Sequence, residues 1–233
     1  MKYMGSKNRI AKYILPIMLK DRKEGQWWVE PFVGGGNIID KVDGKRIGSD
    51  SNKHLIALHA KLRDGWLPPK HVSKELFLDM KKNMWLFDDH LLGYVGFQLS
   101  YGAMWFGSYR RDNLGKRDYS LEAYNNVSKQ APKLHGIVFV NCQYNELAIP
   151  SNSLVYCDPP YKNTSGYSDS INHDKFWQWR RDRHNEGHTV FISEYNAPDD
   201  FECIWSKEIV SSLTKNTGAK KGIEKLFIYK GDK

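Results

Sequence analysis

The residues Asp158-Pro159-Pro160-Tyr161 directly follow an apolar run, Leu154 to Asp158 (LVYCD). Two prolines fix the backbone and remove two N–H donors. What remains at the tip of such a strand is a carboxylate, proline carbonyls and an aromatic ring. An acceptor-rich pocket with a stacking platform suits a flat group carrying an amine, and a nucleobase with an exocyclic amine fits that description. A rigid turn closing a strand is the competing reading.

A second group is Glu30-Pro31-Phe32-Val33-Gly34-Gly35-Gly36-Asn37. It reads as strand, glycine turn, helix. Glycines let a ligand approach the backbone closely, and a helix N-terminus offers unpaired N–H groups. Asp50 ends the next apolar run, RIGSD, where a carboxylate can accept both hydroxyls of a ribose. Its competing role is an acid favouring the dipole of a helix starting near Asn52. A nicotinamide fingerprint would need glycine at Ile39, and the GK[ST] ending of a phosphate loop is absent.

The elements that must hold these groups alternate. After Ser6, a candidate N-cap, Ile10, Tyr13, Ile14 and Ile17 recur at helical spacing, with Pro16 an awkward member. Strands are expected over Gln26 to Pro31, Arg46 to Asp50, Ile137 to Asn141, Leu154 to Asp158 and Thr189 to Glu194. Helices are expected over Asn52 to Leu62 and around Phe176, Trp179 and Arg183. Cys203 to Val210 and Lys225 to Lys230 read as a closing antiparallel pair. The pattern predicts an α/β sheet, mostly parallel with an antiparallel C-terminal strand, and ligands in such sheets bind at the carboxyl ends of strands. Residues 65–134 break the alternation. They carry helical patches (Val72, Leu76, Met80; Leu91, Leu92, Val95) and then SYGAMWFGSYRRDNLGKRDYS, rich in aromatic, glycine and basic residues. They read as a small inserted lobe, leaving 1–64 and 135–233 as the main domain.

Composition narrows the function. Of 233 residues 40% are hydrophobic, enough for a packed core, which excludes a disordered chain. No apolar run is long enough to span a membrane. The start, MKYMGSKNRIAKYI, lacks the pattern of a secretory signal. Cys142, Cys157 and Cys203 are few and far apart, which argues against a disulfide framework and for a reducing cytoplasm. The eight histidines show no metal-ligand spacing, so no metal is expected. The net charge of +8 makes a polyanion a plausible partner, and 8 Trp, 13 Tyr and 10 Phe supply rings that can stack on bases.

Taken together, these motifs resemble the Dam-type DNA adenine methyltransferases, enzymes that use S-adenosylmethionine to methylate the exocyclic amine of adenine. Tyr3-Met4-Gly5-Ser6-Lys7 is similar to the family's N-terminal cofactor motif. Glu30 to Asn37 looks like its F-x-G-x-G motif, Asp50 like its ribose-binding acid, and Asp158 to Tyr161 like its catalytic D-P-P-Y. The order of the motifs is also that of the class. One departure is Gln143, in Asn141-Cys142-Gln143-Tyr144, where relatives often carry an acid after the cysteine.

The resemblance implies a Rossmann-like methyltransferase sheet, with residues 65–134 as the target-recognition lobe. It implies a cofactor site formed by Tyr3, Lys7, Glu30, Phe32, Gly34, Gly35, Gly36, Asp50, Gln143 and Asp158, with Lys7 pairing with the cofactor's carboxylate. It implies direct methyl transfer to a base flipped out of duplex DNA, with Asp158 and the Pro159 carbonyl accepting the amine hydrogens and Tyr161 stacking on the base. The DNA face is expected to include Lys2, Ser100, Tyr101, Trp105, Phe106, Tyr109, Arg110, Arg111, Lys116 and Arg117. Trp105, Phe106 or Tyr109 would wedge into the vacated stack, and Arg110 and Arg111 would read guanine edges or hold phosphates. A monomer suffices for this chemistry, and a cognate restriction endonuclease is a candidate companion. Methyl transfer to an RNA amine or a protein amide is the rival activity. A DNA-binding module with a degenerate cofactor pocket is the non-enzymatic rival.

Overall fold

The computed structural model describes residues 1–112, 114–161, 171–210 and 221–232. Seven strands form one sheet in the order β3-β2-β1-β4-β5-β7-β6. They are β1 (Trp28–Glu30), β2 (Arg46–Asp50), β3 (Ile137–Asn141), β4 (Leu154–Cys157), β5 (Thr189–Glu194), β6 (Phe201–Val210) and β7 (Lys221–Tyr229). The first five are parallel, β7 runs antiparallel to β5, and β6 runs antiparallel to β7. This is the mostly parallel sheet with an antiparallel end that the sequence predicts.

A parallel sheet is covered on both faces, so its central strands are apolar on both sides. Alternate residues then serve different cores. Trp28, Leu154, Tyr156, Phe191 and Leu226 enter one cluster. Val29, Val155, Cys157, Val190, Ile192 and Phe227 enter the other. The first cluster is completed by α1 (Ala11–Met18), α2 (Lys53–Arg63), α3 (Lys74–Lys82), α4 (Asp89–Gln98) and α5 (Tyr119–Gln130). The second is completed by α6 (His173–Asn185), through Phe176, Trp177 and Trp179.

Helix starts follow their caps. The side chains of Asn52, Ser73, Asp118 and Asn172 each accept a backbone N–H of the first turn of α2, α3, α5 and α6; each such cap is worth about 1 kcal/mol. Ser6 caps only a single 3₁₀ turn, Lys7–Arg9, and Pro16 is accommodated inside α1. The helix expected after the glycine turn does not form. Only a 3₁₀ turn, Ile39–Lys41, separates that turn from β2, with Ile38, Ile39 and Val42 buried and Gly44 in a positive-φ turn soon after.

Residues 65–134 do not hold a core of their own. Val72, Phe77, Met80, Leu92, Tyr94, Val95, Ala123 and Val127 all join the cluster over the sheet. Helix α4 lies directly on α2. A Cβ on Gly93 would come 2.2 Å from the carbonyl oxygen of His54, so only glycine permits that approach.

Candidate active site

Three strand tips bring carboxylates to one cavity of about 790 Å³: Glu30 ends β1, Asp50 ends β2, and Asp158 follows β4. Tyr3, Lys7, Phe32, Gly34, Gly35 and Gln143 also line it, as do Tyr156, Pro160 and the segment Ala103 to Trp105. Gly36 does not. Its φ is +64°, and a Cβ there would meet the His59 ring at 3.0 Å, away from the cavity.

The glycine turn is braced from both sides. Its amide at Gly34 donates to Asp50 Oδ2 at 3.1 Å, and Asp50 Oδ1 accepts from Asn52 N at 3.0 Å. Asp50 therefore ties the turn to the start of α2. Beneath the turn, Gln130 Nε2 donates to the carbonyls of Gly35 and Gly36, both at 3.0 Å. His59 Nε2 lies 2.7 Å from the Gly34 carbonyl. Burial lowers the His59 pKa to about 4, so the ring is neutral and Nε2 carries the donated proton. Above the turn sits Tyr3. A Cβ on Gly34 would stand 2.8 Å from the Tyr3 ring, and one on Gly35 would stand 2.6 Å from Tyr3 Cβ. The space these glycines leave is thus filled by Tyr3, where the sequence suggested a ligand.

Phe32 and Tyr144 stack with centroids 5.2 Å apart on the cavity wall. Glu30 is 3% exposed and accepts from Trp28 Nε1 at 2.7 Å. Burial raises its pKa well above the usual carboxylate range, with the Trp28 bond opposing.

At Asp158 the geometry is denser. Lys7 Nζ lies 3.0 Å from Asp158 Oδ1 and 3.6 Å from Glu224 Oε2, and donates to the Gly5 carbonyl at 3.0 Å. The same ammonium stands 4.5 Å from the centroid of the Tyr161 ring. The Tyr161 hydroxyl donates to Glu224 Oε2 at 2.7 Å, and Tyr195 meets the ring edge-on at 4.6 Å. Burial raises the Asp158 pKa to about 6; Lys7 pulls it down and Glu224 pushes it up. Burial disfavours charge on Lys7, but Asp158 and Glu224 outweigh it, and its pKa lies above the ordinary value.

Two expectations change here. Lys7, expected to meet a cofactor carboxylate, is instead committed to two protein carboxylates and a carbonyl. Tyr161, expected to offer an open ring face, is 9% exposed and packed between Lys7 and Tyr195. Neither Tyr161 nor the buried Pro159 is part of the cavity lining.

The basic, aromatic segment divides into packed and exposed residues. Ser100 is buried and donates to the Gly96 carbonyl at 2.7 Å. Phe106 is a core residue. The Tyr109 hydroxyl donates to the Val72 carbonyl at 2.6 Å, and its ring packs on Phe77. Trp105 is half-buried, stacked on His54 at 4.8 Å and against Phe97 at 4.9 Å. The wedge role expected of Trp105, Phe106 or Tyr109 is therefore not supported: these rings are already packed. Arg110 is likewise not a free reader. Its side chain is 9% exposed, paired with Glu122 at 3.1 Å and lying 4.3 Å over Tyr119. Lys2 and Arg117 reach the same Glu122 while remaining exposed. Tyr101, Arg111 and Lys116 are exposed as well, and Asn113 lies outside the described residues.

Sequence reasoning did not single out Glu224, Tyr195, His54 or Met104. A signal for Glu224 was present: it shares a strand face with Leu226, which is fully buried. Among the described residues no cluster of His, Cys, Asp and Glu could hold a metal ion, and no helix is long and apolar enough to cross a membrane.

Residues 3–88 match the family model of the D12 class N6 adenine-specific DNA methyltransferases. Two curated proteins from Vibrio cholerae serotype O1, the DNA adenine methylases of the Classical Ogawa 395 and El Tor Inaba N16961 strains, are 26% identical to this chain over 166 residues. That match covers 59% of this chain and 57% of each relative, so the chain spans little more than half their length. Two solved structures named as methyltransferases are loosely similar. That of yhhF from Escherichia coli has a TM-score of 0.39 at 9% identity, over 97% of this chain and 88% of that one. That of SMU.472, in complex with SAH, has a TM-score of 0.36 at 10% identity, over 96% of this chain and 52% of that one. The family match and the curated relatives support the Dam-type adenine methyltransferase resemblance read from the sequence.

Proposed function

We propose that this protein moves a methyl group from S-adenosylmethionine to the exocyclic amine of adenine in double-stranded DNA, with the target base drawn out of the helix. The observation that carries the reading is the carboxylate of Asp158, set beside two prolines in the same cavity that Asp50 and the glycine turn line. The family match over residues 3–88 supports the cofactor half of that arrangement.

The residues present suit such a cofactor. It brings an electrophilic methyl on a positively charged sulfur, together with a ribose and a base. Asp50 and Asp158 line the cavity beside the buried Glu30, and its two lysines, Lys7 and Lys53, are each paired with a carboxylate. Asp50 would accept ribose hydroxyls, since a carboxylate takes about four donors and two of its bonds are to backbone amides. Phe32, with Gln143 nearby, would bound a flat ring. Tyr3 holds the shape of the turn against which these groups are set.

The chemistry asked of the chain is small. An adenine amine has its lone pair conjugated into the ring. Asp158, which lines the cavity, would accept an amine hydrogen, which favours a more tetrahedral nitrogen and an available lone pair; the Pro159 carbonyl, outside the lining, could accept the other only after a local shift. That is preorganised electrostatics and positioning. The proton leaves after transfer, with Asp158 beside it. Exposed Lys2, Tyr101, Arg111, Lys116 and Arg117 would face the duplex, with Lys2 and Arg117 held by Glu122, which also pairs with Arg110.

The test is transfer of labelled methyl from S-adenosylmethionine to unmethylated genomic DNA, with product nucleosides identified by mass spectrometry. N6-methyladenine is the expected product. Labelled RNA or protein with unlabelled DNA would overturn the DNA reading in favour of the rival acceptors. Folded protein that binds the cofactor yet labels nothing would overturn the enzymatic one.

A further inference from the structure

We propose that Glu224 of β7 is a positioning residue of this site: its single carboxylate holds both the Tyr161 ring and the Lys7 ammonium against Asp158. The inference rests on the methyltransferase reading above for its purpose, but its geometry stands independently. Glu224 Oε2 accepts from the Tyr161 hydroxyl at 2.7 Å and lies 3.6 Å from Lys7 Nζ. Its side chain is 16% exposed and that of Lys7 is 7% exposed, so solvent screens them little.

The role follows from counting charge. Lys7 facing Asp158 alone would make a neutral pair, and a satisfied carboxylate is a poor acceptor for an incoming amine. With Glu224 present, one ammonium is shared between two carboxylates and the triad carries a net negative charge. Asp158 then stays attractive to an N–H donor, because Lys7 stabilises its anion only in part while Glu224 opposes it. The second contact matters as much. The bond from its hydroxyl to Glu224 helps fix the buried Tyr161 ring beside Lys7. Groups facing Asp158 from the other packed elements are Glu30 of β1, Tyr156 of β4 and Tyr195 after β5. Burial raises the Glu30 pKa, and the charged groups that bear on Asp158 most directly are Lys7, paired with it, and Glu224, paired with Lys7.

The test is carbon-13 NMR of protein labelled at aspartate side-chain carboxyls, with the Asp158 signal assigned by its loss in D158N. In E224Q the amide oxygen can still accept from Tyr161, but the charge is gone and Lys7 turns wholly to Asp158. The Asp158 midpoint should fall by about one pH unit from its wild-type position, and the acid limb of kcat/KM should move with it. E224D, which keeps the charge, should hold the midpoint near wild type. An Asp158 midpoint unmoved in E224Q overturns the proposal. If E224Q does not fold, the wild type carries the test: a labelled Glu224 carboxyl must respond at the Asp158 midpoint, and a Glu224 signal indifferent to it overturns the proposal. A wild type that transfers no methyl but shows the shift overturns the methyltransferase reading and leaves the hold of Glu224 on Lys7 standing.

Discussion

Lys7 and Asp158 form an ion pair at 3.0 Å although one precedes the first helix and the other follows the fourth strand. Their contact joins the N-terminal motif Tyr3 to Lys7 to the tetrapeptide Asp158 to Tyr161. It also means that Asp158 already has a partner when no substrate is present, so an amine must compete with an ammonium for the same oxygens.

Replacing Asp158 should separate chemistry from binding. D158A removes the acceptor for the amine and should lower kcat by at least about 10²–10³, the scale of losing one preorganised group. Cofactor affinity should change little, because Asp50, Phe32 and the turn are untouched. Labelled-methyl kinetics and calorimetric titration of the cofactor check the two halves; turnover near wild type would remove Asp158 from its assigned role.

Acid should silence the enzyme earlier than an ordinary aspartate would. The Asp158 pKa is raised to about 6 from 3.8. Only the ionised form can accept both the pair with Lys7 and the amine, so kcat/KM should fall tenfold per unit as pH drops below about 6. The stability sign is opposite. Between the two values the folded state binds more protons than the unfolded one, so this group's contribution to stability rises as pH falls through 6 and is lost as pH climbs above it. A pH series of both kcat/KM and Tm checks the opposed trends.

Alanine at the two cavity glycines should behave differently. G34A places its Cβ 2.8 Å from the tip of the Tyr3 ring, whereas G35A meets Tyr3 Cβ at 2.6 Å and Asn37 Nδ2 at 2.7 Å. Each should cost about 1–3 kcal/mol through overpacking. Y3A removes the ring but keeps Cβ. It should therefore restore part of the stability of G34A, the rest being backbone strain at φ +46°, and restore little of G35A. Denaturant unfolding of the singles and doubles measures the difference.

The adjacent arginines should divide their labour. R111A should leave Tm unchanged, weaken DNA binding across sequences and reduce the salt slope of log K by about 1. R110A should instead lower Tm, because it strips Glu122 of a buried partner and Tyr119 of its stacked cation. Salt-dependent binding isotherms alongside thermal melts distinguish them; an R111A slope equal to wild type would take that residue off the phosphates.

The sheet was readable because buried parallel strands are short apolar runs with clear ends: β2, β3 and β5 begin and end where the sequence places them. The start of β7 was read late, at Lys225, because Lys221 to Glu224 holds a single apolar residue, Ile223, and its pairing with β6 is not visible locally. Helix α5 was missed since YSLEAYNNVSKQ buries mainly small or polar side chains, Ser120, Ala123, Val127 and Gln130. The strand-tip carboxylates were legible from their position after apolar runs. Glu224 was marked only by sharing a strand face with Leu226, because its proximity to Lys7 depends on β7 lying between β5 and β6. Trp105 and Phe106 looked like surface because their cover is distant: Gly96 admits them, and a Cβ there would stand 2.5 Å from Trp105.

The strand order has one more consequence. From β1 the chain winds outward through β2 to β3, and from β4 it winds the other way to β5. The segment leaving β1 packs Ile38, Ile39 and Val42 on one side of the sheet, while the helix following β4 packs Phe176 on the other. Among the described residues the two exits pack on opposite sides of the sheet, which leaves a crevice between the strand tips. The crevice is therefore a product of winding direction, present before any side chain is chosen. A chain built this way can lose or exchange its reactive groups and keep the opening, so here occupancy and reactivity are inherited from different levels of the structure.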